Sequence, residues 1–163
     1  MDSQREDQRT LFVYRIEARA HSRATEVVDR VQTAVLNLFP ESAQESVEIS
    51  IETTEGHRQT RIAVLSVVLQ DRTACDSTLS FIAETLSEYD RLEVIRSLPL
   101  RLDDQCILFL RIDKQESFLG RMQLGKDPDV ISVKIHLKQF PRCKPLDVET
   151  FLVERFQLDR GQI

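Results

Sequence analysis

The stretch Val130–Lys138, VISVKIHLK, alternates apolar and polar side chains along its length. Every second position from Ile131 to Leu137 is apolar, whereas the positions between them are polar or cationic. Successive side chains of a β-strand point to opposite faces, so this pattern predicts a strand with one buried and one open face. The open face carries Ser132, Lys134, His136 and Lys138. Burial on one side only is typical of an antiparallel sheet.

The rest of the chain interleaves strand and helix patterns around this segment. Further strands are predicted at residues 11–18, 47–52, 61–69 and 106–112, and helices at 23–39, 79–86, 92–98 and 146–156. This order predicts an α+β fold: a two-layer sandwich in which a mainly antiparallel sheet of about five strands has helices packed on one face. The other face of the sheet is then open, or covered by a partner.

The length of 163 residues, with 41% hydrophobic and 30% charged residues, predicts one globular domain. We assign it to residues 10–158, with tails at 1–9 and 159–163. No apolar run approaches the roughly 20 residues needed to span a bilayer, and the polar N-terminus does not resemble a signal peptide. Cys75, Cys106 and Cys143 are an odd number without C-x-x-C spacing. They favour reduced thiols in a cytoplasmic protein over disulfides or a zinc site.

The distribution of charge is more informative than its sum. The net charge of the chain is -5, but residues 105–144 contain eight Lys+Arg against four Asp+Glu, a local charge of +4. This region holds all five lysines of the chain: Lys114, Lys126, Lys134, Lys138 and Lys144. A basic region on an acidic body indicates a polyanionic ligand. The alternative is a solvated strand face whose lysines prevent edge-to-edge aggregation.

The basic region offers several groups suited to a nucleic acid. Alternate side chains of VISVKIHLK stand about 7 Å apart, which resembles the run of phosphates along a nucleic-acid strand. Phe109 beside Arg111 can stack on an unpaired base. In the following turn Asp113 is suited to cap a short helix, and Lys114 and Gln115 to contact phosphate, ribose or a base edge. The predicted contacts are Lys114, Gln115, Arg121, Lys126, Lys134, His136, Lys138, Arg142 and Lys144, with Phe109 and Arg111 as stacking candidates.

Two alternatives for the open face remain. Glu48 and Glu52, together with Arg15 and Glu17, can lie on the same face and pair across strands with the lysines, which would neutralise them. The face can also be a dimer interface, for which the apolar candidates are Leu11, Val13, Ile107 and Phe109.

Strict alternation in residues 11–18 predicts Phe12, Tyr14, Ile16 and Ala18 on one face and Arg15 and Glu17 on the other.

Catalytic and metal-binding patterns are missing from the sequence. It contains no G-x-x-x-x-G-K-[ST] motif, and its four scattered glycines cannot form a phosphate-binding loop. His21, His57 and His136 have no metal-ligand spacing. The acidic residues show no pattern that makes two carboxylates converge. We therefore expect a protein that is not an enzyme and that requires no cofactor or metal.

Three segments together resemble a known family. They are LRIDKQESFLG (110–120), DVISVKIHLKQFP (129–141) and FPESAQESVEISIETTEGH (39–57). The most specific elements are D-K-Q at 113–115, followed by Gly120, V-K-I at 133–135, and T-E-G at 54–56. They are similar to archaeal proteins described as predicted RNA-binding and exosome-associated. The similarity extends over residues 11–156.

The resemblance implies a fold likened to a double-stranded-RNA-binding domain and to the ribosomal protein that binds 5S RNA. It implies a non-catalytic RNA-binding protein, an accessory factor in RNA processing or decay, with exosome or ribonuclease P subunits as partners. Such a protein would contact the RNA backbone through the basic strand and the D-K-Q turn. The alternative is a protein-interaction module or homodimer whose open sheet face docks a subunit of an RNA-processing complex.

Overall fold

The computed structural model describes residues 11–23, 26–55 and 61–163. The expected N-terminal tail and the turn at Gly56, which ends the T-E-G element, lie outside the described residues. The strands are β1 (Phe12–Ser22), β2 (Glu48–Glu55), β3 (Arg61–Leu69), β4 (Ile107–Asp113) and β5 (Val130–Lys138). The helices are α1 (Val28–Leu36), α2 (Glu41–Gln44), α3 (Arg72–Thr85), α4 (Glu88–Arg96), α5 (Leu98–Arg101), α6 (Lys114–Phe118) and α7 (Pro145–Arg155), with a 3₁₀ turn at Arg160–Gln162.

The five strands form one sheet in the order β2-β3-β1-β5-β4, and each pair of neighbours is antiparallel. The helices pack against one face, where Ile16, Leu65 and Ile135 are fully buried. β5 has the predicted bounds, and its apolar residues from Ile131 to Leu137 lie in the core. The predicted α+β architecture is therefore confirmed.

Side chains at helix starts explain several of these boundaries. Asp71 accepts a hydrogen bond from the amide of Ala74 at the start of α3, and Ser87 caps α4 through the amide of Asp90. Each such bond satisfies a helix N–H that has no partner within the helix. Asp113 caps α6 in the same way, as predicted, and this cap determines where β4 ends and the D-K-Q turn begins.

A β-bulge in β1 changes which of its side chains face the core. Val13 pairs with Leu137 and Arg15 with His136, so that Tyr14 is an extra residue in β1 without a partner in β5. The prediction for residues 11–18 is therefore wrong for Phe12, which lies opposite Lys138 and is half-buried, and for Tyr14, which is exposed. Val13 is buried together with Ile16 and Ala18, because the bulge reverses the alternation between them.

The bulge also removes most of the apolar surface expected at a dimer interface. Leu11 and Val13 were candidates for that surface, but both are buried in the core. Ile107 is half-buried, and Phe109 alone of the four is exposed. The open face therefore does not present the four apolar residues that were predicted for a dimer interface.

Cys106 and Cys143 form a disulfide, with their Cα atoms 6.3 Å apart and a separation of 37 positions in sequence. The prediction of reduced thiols is therefore wrong for two of the three cysteines. Local spacing contained no signal for this bond, because it joins the residue preceding β4 to the loop after β5. Cys75 is free and buried, and burial raises the pKa of its thiol to about 11.

The last residues of the chain pack against the helical layer. Asp159 caps the 3₁₀ turn, and the Gln162 side chain donates a hydrogen bond to Glu88 on α4 at 2.6 Å. Arg96 donates to the backbone carbonyl of Gln162 at 2.8 Å. Residues 159–163, predicted as a tail, are thus held against α4 by contacts to its first and last residues.

Candidate nucleic-acid interface

The sheet face opposite the helices, called the open face here, has β5 between β1 and β4. Ser132, Lys134 and Lys138 are exposed on it, and His136 is half-buried. These four side chains alternate with the buried residues of β5, as the sequence predicted. The strand therefore presents two exposed ammonium groups in a straight row.

Strand register decides which residues flank that row. Lys134 lies opposite Glu17 on β1 and Phe109 on β4. Ser132 lies between two arginines, since its partners are Arg19 and Arg111, both exposed. The open face thus places cations on three adjacent strands.

A groove of about 500 Å³ lies beside Arg19 on this face. Ser66 and Ser132 form part of its lining, and both are directly opposite Arg19 in the sheet. Because the serine side chains are short, they leave room beside the guanidinium group. A phosphate could occupy that room and accept hydrogen bonds from the arginine.

The carboxylate of Glu17, on the open face, is paired with two neighbouring side chains. Glu17 accepts from Arg15 at 2.9 Å and contacts Nε2 of His136 at 2.7 Å. Partial burial raises the pKa of Glu17, but the hydrogen bonds and charges of His136 and Arg15 outweigh burial, so this pKa lies below its ordinary value of 4.5. Arg15 and His136 are therefore committed to Glu17. No carboxylate of the described residues lies within salt-bridge distance of Lys134 or Lys138.

Glu48 and Glu52 do not neutralise the lysines across neighbouring strands. Both lie on β2, and β3 and β1 stand between β2 and β5. Three strand spacings of about 4.8 Å separate their backbones by roughly 14 Å. The open face is thus acidic at the β2 edge and basic over β1, β5 and β4.

Aromatic rings accompany the two exposed lysines. The ammonium group of Lys134 lies 5.8 Å from the ring centroid of Phe109. That of Lys138 lies 5.8 Å from Tyr14 and 5.2 Å from Phe140. Phe109 is therefore exposed on the open face as predicted, and Tyr14 and Phe140 are two further rings beside the lysines that the prediction did not include.

The D-K-Q turn is arranged differently from the prediction. Lys114 is only 3% exposed, and its ammonium group contacts Glu26 at 2.9 Å and Asp129 at 2.6 Å. It also donates to the backbone carbonyl of His21 at 2.9 Å. Burial raises the pKa of Asp129, but the hydrogen bonds from Lys114 and Gln115 and the nearby positive charge outweigh burial and hold this pKa below 3.8. Lys114 is thus a buried cation that joins three segments of the fold.

The other predicted contacts fall into separate groups. Gln115 is exposed and donates to Asp129 at 3.2 Å, while Arg121 is exposed and paired with Glu116 at 2.8 Å. The exposed Lys126 follows Gly125, whose amide donates to the Arg111 carbonyl. Two further exposed cations are Arg142 and Lys144, on either side of the disulfide-bonded Cys143. The structure therefore brings Lys126 close to one end of β4 and the Arg142–Lys144 loop close to the other.

Two kinds of feature are not found in the part of the chain that the structure describes. No helix there is both long and apolar enough to cross a membrane. No group of three or more His, Cys, Asp or Glu side chains there could hold a metal ion.

A comparison with protein families supports the resemblance seen in the sequence. The model of a family described as RNA binding matches residues 15–137. The chain belongs to this RNA-binding family. The family is RNA-binding rather than catalytic in its description, and the match begins within β1 at residue 15 and ends within β5 at residue 137.

Individual archaeal proteins are also similar to this chain. RNA-binding protein PAB1135 of Pyrococcus abyssi is 30% identical over 135 residues, which cover 82% of this chain and 88% of that protein. The crystal structure of AF2318 from Archaeoglobus fulgidus has a TM-score of 0.73 at 29% identity and covers 88% of this chain and 99% of AF2318. Mth689 of Methanothermobacter thermautotrophicus shares the fold at a TM-score of 0.71 and 23% identity, over 89% of this chain and 98% of its own.

Three residues of the open face were missed by the sequence prediction. Arg19 could have been found, since Arg15, Glu17 and Arg19 alternate with apolar residues and one more step of the pattern reaches it. Tyr14 could not have been found from the sequence, because strict alternation places it in the core and only the bulge turns it outward. Phe140 lies beyond the end of β5, where no periodic pattern predicts the direction of a side chain.

Proposed function

We propose that this protein is a non-catalytic RNA-binding protein, an accessory factor in RNA processing or decay, that contacts the RNA backbone through the open face. The observation that carries the proposal is the pair of exposed lysines, Lys134 and Lys138, on the central basic strand. Arg19 and Arg111 support it, since they stand exposed on the two neighbouring strands. Membership of the RNA-binding family points to the same ligand.

The four cations set the expected strength of salt dependence. If each of them neutralises one phosphate of a single strand, the logarithm of the RNA association constant falls linearly with the logarithm of the salt concentration. The slope is about -0.7 per contact, or roughly -2.8 for the four cations. Affinity should then fall about 50-fold when salt rises fourfold. Arg15 and His136 are left out of this count, because they are paired with Glu17.

The remaining predicted contacts take secondary places in the proposal. Lys126 would extend the basic surface at one end, and Arg142 and Lys144 at the other. Gln115 and Arg121 would contact RNA only at the D-K-Q edge. Lys114 is no longer included, because its ammonium group is buried and bound by two carboxylates and a carbonyl.

The test compares two double variants that remove the same charge. Lys134→Ala/Lys138→Ala should weaken binding of a labelled RNA regardless of its sequence, and make the salt slope less negative by about 1.4 units. Arg96→Ala/Arg160→Ala removes two exposed cations from the helical side, and should leave affinity and slope close to those of the unchanged protein. Equal effects of the two variants, or no RNA binding at low salt, would overturn the proposal.

The proposed role in RNA processing or decay is based on the family resemblance. The proposal that exosome or ribonuclease P subunits are partners has the same basis. Purified subunits of these complexes should bind the protein when RNA is present, and should do so less well with Lys134→Ala/Lys138→Ala. Binding that needs no RNA and is unaffected by the variant would instead favour an interaction module. The burial of Leu11 and Val13 argues against that alternative and against a homodimer through this face.

A further inference from the structure

We infer that the open face binds unpaired RNA, with bases stacked on Tyr14, Phe109 and Phe140, rather than duplex RNA. The inference rests on the proposed function and deepens it by naming the class of RNA. It depends on three observations: where the exposed aromatic residues lie, how Tyr14 comes to be exposed, and how the rings flank the lysines.

Exposed rings are concentrated beside β5. The chain has eight Phe and two Tyr and no Trp. Four of these ten side chains are exposed: Phe109 at 37%, Tyr14 at 41%, Phe140 at 57% and Tyr89 at 72%. Three of the four contact a lysine of β5, and the fourth lies on α4 in the helical layer. Most of the exposed aromatic surface of the chain is therefore beside the basic strand.

The exposure of Tyr14 depends on the β-bulge. Without it, the alternation of β1 would direct Tyr14 into the core and Val13 outward. The extra residue between Val13 and Arg15 turns the tyrosine ring onto the open face, where it makes an edge contact with His136 at 5.7 Å. Bulges frequently redirect a side chain next to a functional site. The bulge therefore places an aromatic ring in the basic row.

Each exposed lysine of β5 has at least one aromatic ring beside it. Phe109 stands level with Lys134, Tyr14 reaches Lys138 from β1, and Phe140 reaches it from beyond the end of β5. From residue 134 to residue 138 the strand extends about 13 Å, which matches roughly two nucleotides of an extended single strand. Each nucleotide would then find a ring for its base and a cation for its phosphate.

The rings distinguish unpaired RNA from duplex RNA. Phosphate contacts alone suit both forms, but the bases of a duplex are stacked on one another and cannot reach a protein ring. Unpaired bases can be splayed onto aromatic side chains, whatever their sequence. In the free protein the lysine ammonium groups lie 5.2–5.8 Å from the rings, within the range of cation–π attraction. When a base takes the ring face, the lysine is free to turn to the phosphate.

Alanine substitutions separate stacking from charge. Phe109→Ala, Tyr14→Ala and Phe140→Ala should each weaken binding of a short single-stranded RNA by about 5-fold or more, with no change in the salt slope. The same variants should leave binding of a duplex of equal length unchanged. Lys134→Ala/Lys138→Ala, in contrast, changes the slope. Thermal unfolding of each variant checks that the sheet is intact.

A fluorescent reporter tests the stacking directly and keeps a ring at the site. Since the chain has no Trp, Phe109→Trp introduces a single indole beside Lys134. Excited at the red edge of its absorption, where RNA absorbs little, this indole should be quenched by single-stranded RNA and not by duplex. Tyr89→Trp is the matched control, because its indole would be exposed in the helical layer and should not be quenched.

The outcomes separate the inference from the proposed function. Equal affinity for duplex and single strand, with no quenching of the Phe109→Trp indole, would overturn the stacking inference; the proposed function would stand if the two lysines still governed binding. Failure to bind either RNA at low salt would overturn both. Preferential binding of the single strand, with quenching at position 109 and none at position 89, would support the inference.

Discussion

Replacing Lys114 by Met separates a structural role of the D-K-Q turn from an RNA-binding one. The substitution keeps an unbranched apolar stem and removes the ammonium group. Glu26 and Asp129 then lose their common partner, and the carbonyl of His21 loses a hydrogen bond. Because all three contacts come from elsewhere in the chain, we expect Lys114→Met to destabilise the fold.

The surroundings of Lys114 set the magnitude. Removing one partner of a buried ion pair typically costs about 3–5 kcal/mol, because the other charge stays buried and unpaired. Here the side chains left behind are 23% exposed for Glu26 and 33% for Asp129, so water can solvate part of their charge. We therefore expect a loss of about 2–4 kcal/mol in the free energy of unfolding. For a chain of this size a loss of about 3 kcal/mol lowers Tm by roughly 6–12 °C.

Urea denaturation at neutral pH measures this loss, with Lys126→Met as the control. Lys126 is an exposed lysine close by, so its replacement should change stability by no more than about 0.5 kcal/mol. Acid provides a second check. The pKa of Asp129 lies below 3.8 in the folded protein, so its stabilising contribution is present above pH 3.8 and is lost as pH falls through the folded pKa. The difference between Lys114→Met and the unchanged protein should therefore shrink in acid.

One result would refute this reasoning. If Lys114→Met were as stable as the unchanged protein and bound RNA more weakly, with a less negative salt slope, Lys114 would be an RNA contact. The hydrogen bonds to Glu26 and Asp129 would then have to break on binding. Unchanged RNA affinity in a destabilised but folded variant supports the structural role.

Two further predictions concern the disulfide and the carboxylate of Glu17. Replacing Cys106 and Cys143 by Ser opens a loop closed over 37 residues and should lower the free energy of unfolding by about 2–4 kcal/mol, measured by urea denaturation; an equal midpoint for both proteins would contradict this. Glu17→Gln removes the carboxylate that pairs with Arg15 and His136, and should tighten RNA binding a few-fold at low salt with a steeper salt slope. Fluorescence anisotropy of a labelled RNA measures this change, and weaker binding would show that Glu17 itself contacts the RNA or holds the face in shape.

The open face could be predicted from sequence to a large extent. The alternation in VISVKIHLK correctly identified β5, its buried side chains, and the exposed positions of Lys134 and Lys138. Phe109 and Arg111 were placed on the same face for the same reason. Which residues flank β5 was beyond that reasoning, because the register of β1 against β5 depends on strands more than 110 residues apart in sequence, as the bond between His136 and Glu17 illustrates with a separation of 119.

The D-K-Q turn shows the limit of motif reasoning. Its position after β4 and the helix cap at Asp113 were predicted, and both depend on residues within four positions of each other. The direction of the Lys114 side chain was not predicted, because two of the groups that bind it are distant in sequence. Glu26 lies 88 residues earlier, and the carbonyl of His21 is at the end of β1. A lysine in a turn after a strand is usually solvated, and only the assembled fold supplies the two carboxylates that make its burial favourable.

The sequence by itself determined the α+β class, the two faces of β5 and the concentration of cations on one of them. These features follow from side-chain alternation and composition, which are properties of the local chain. Tertiary structure alone decided that Tyr14 faces outward at a bulge, that Cys106 bonds Cys143, and that Lys114 is buried between Glu26 and Asp129. Each of these depends on distant segments being brought into contact at one register, and no local pattern records which segments will meet.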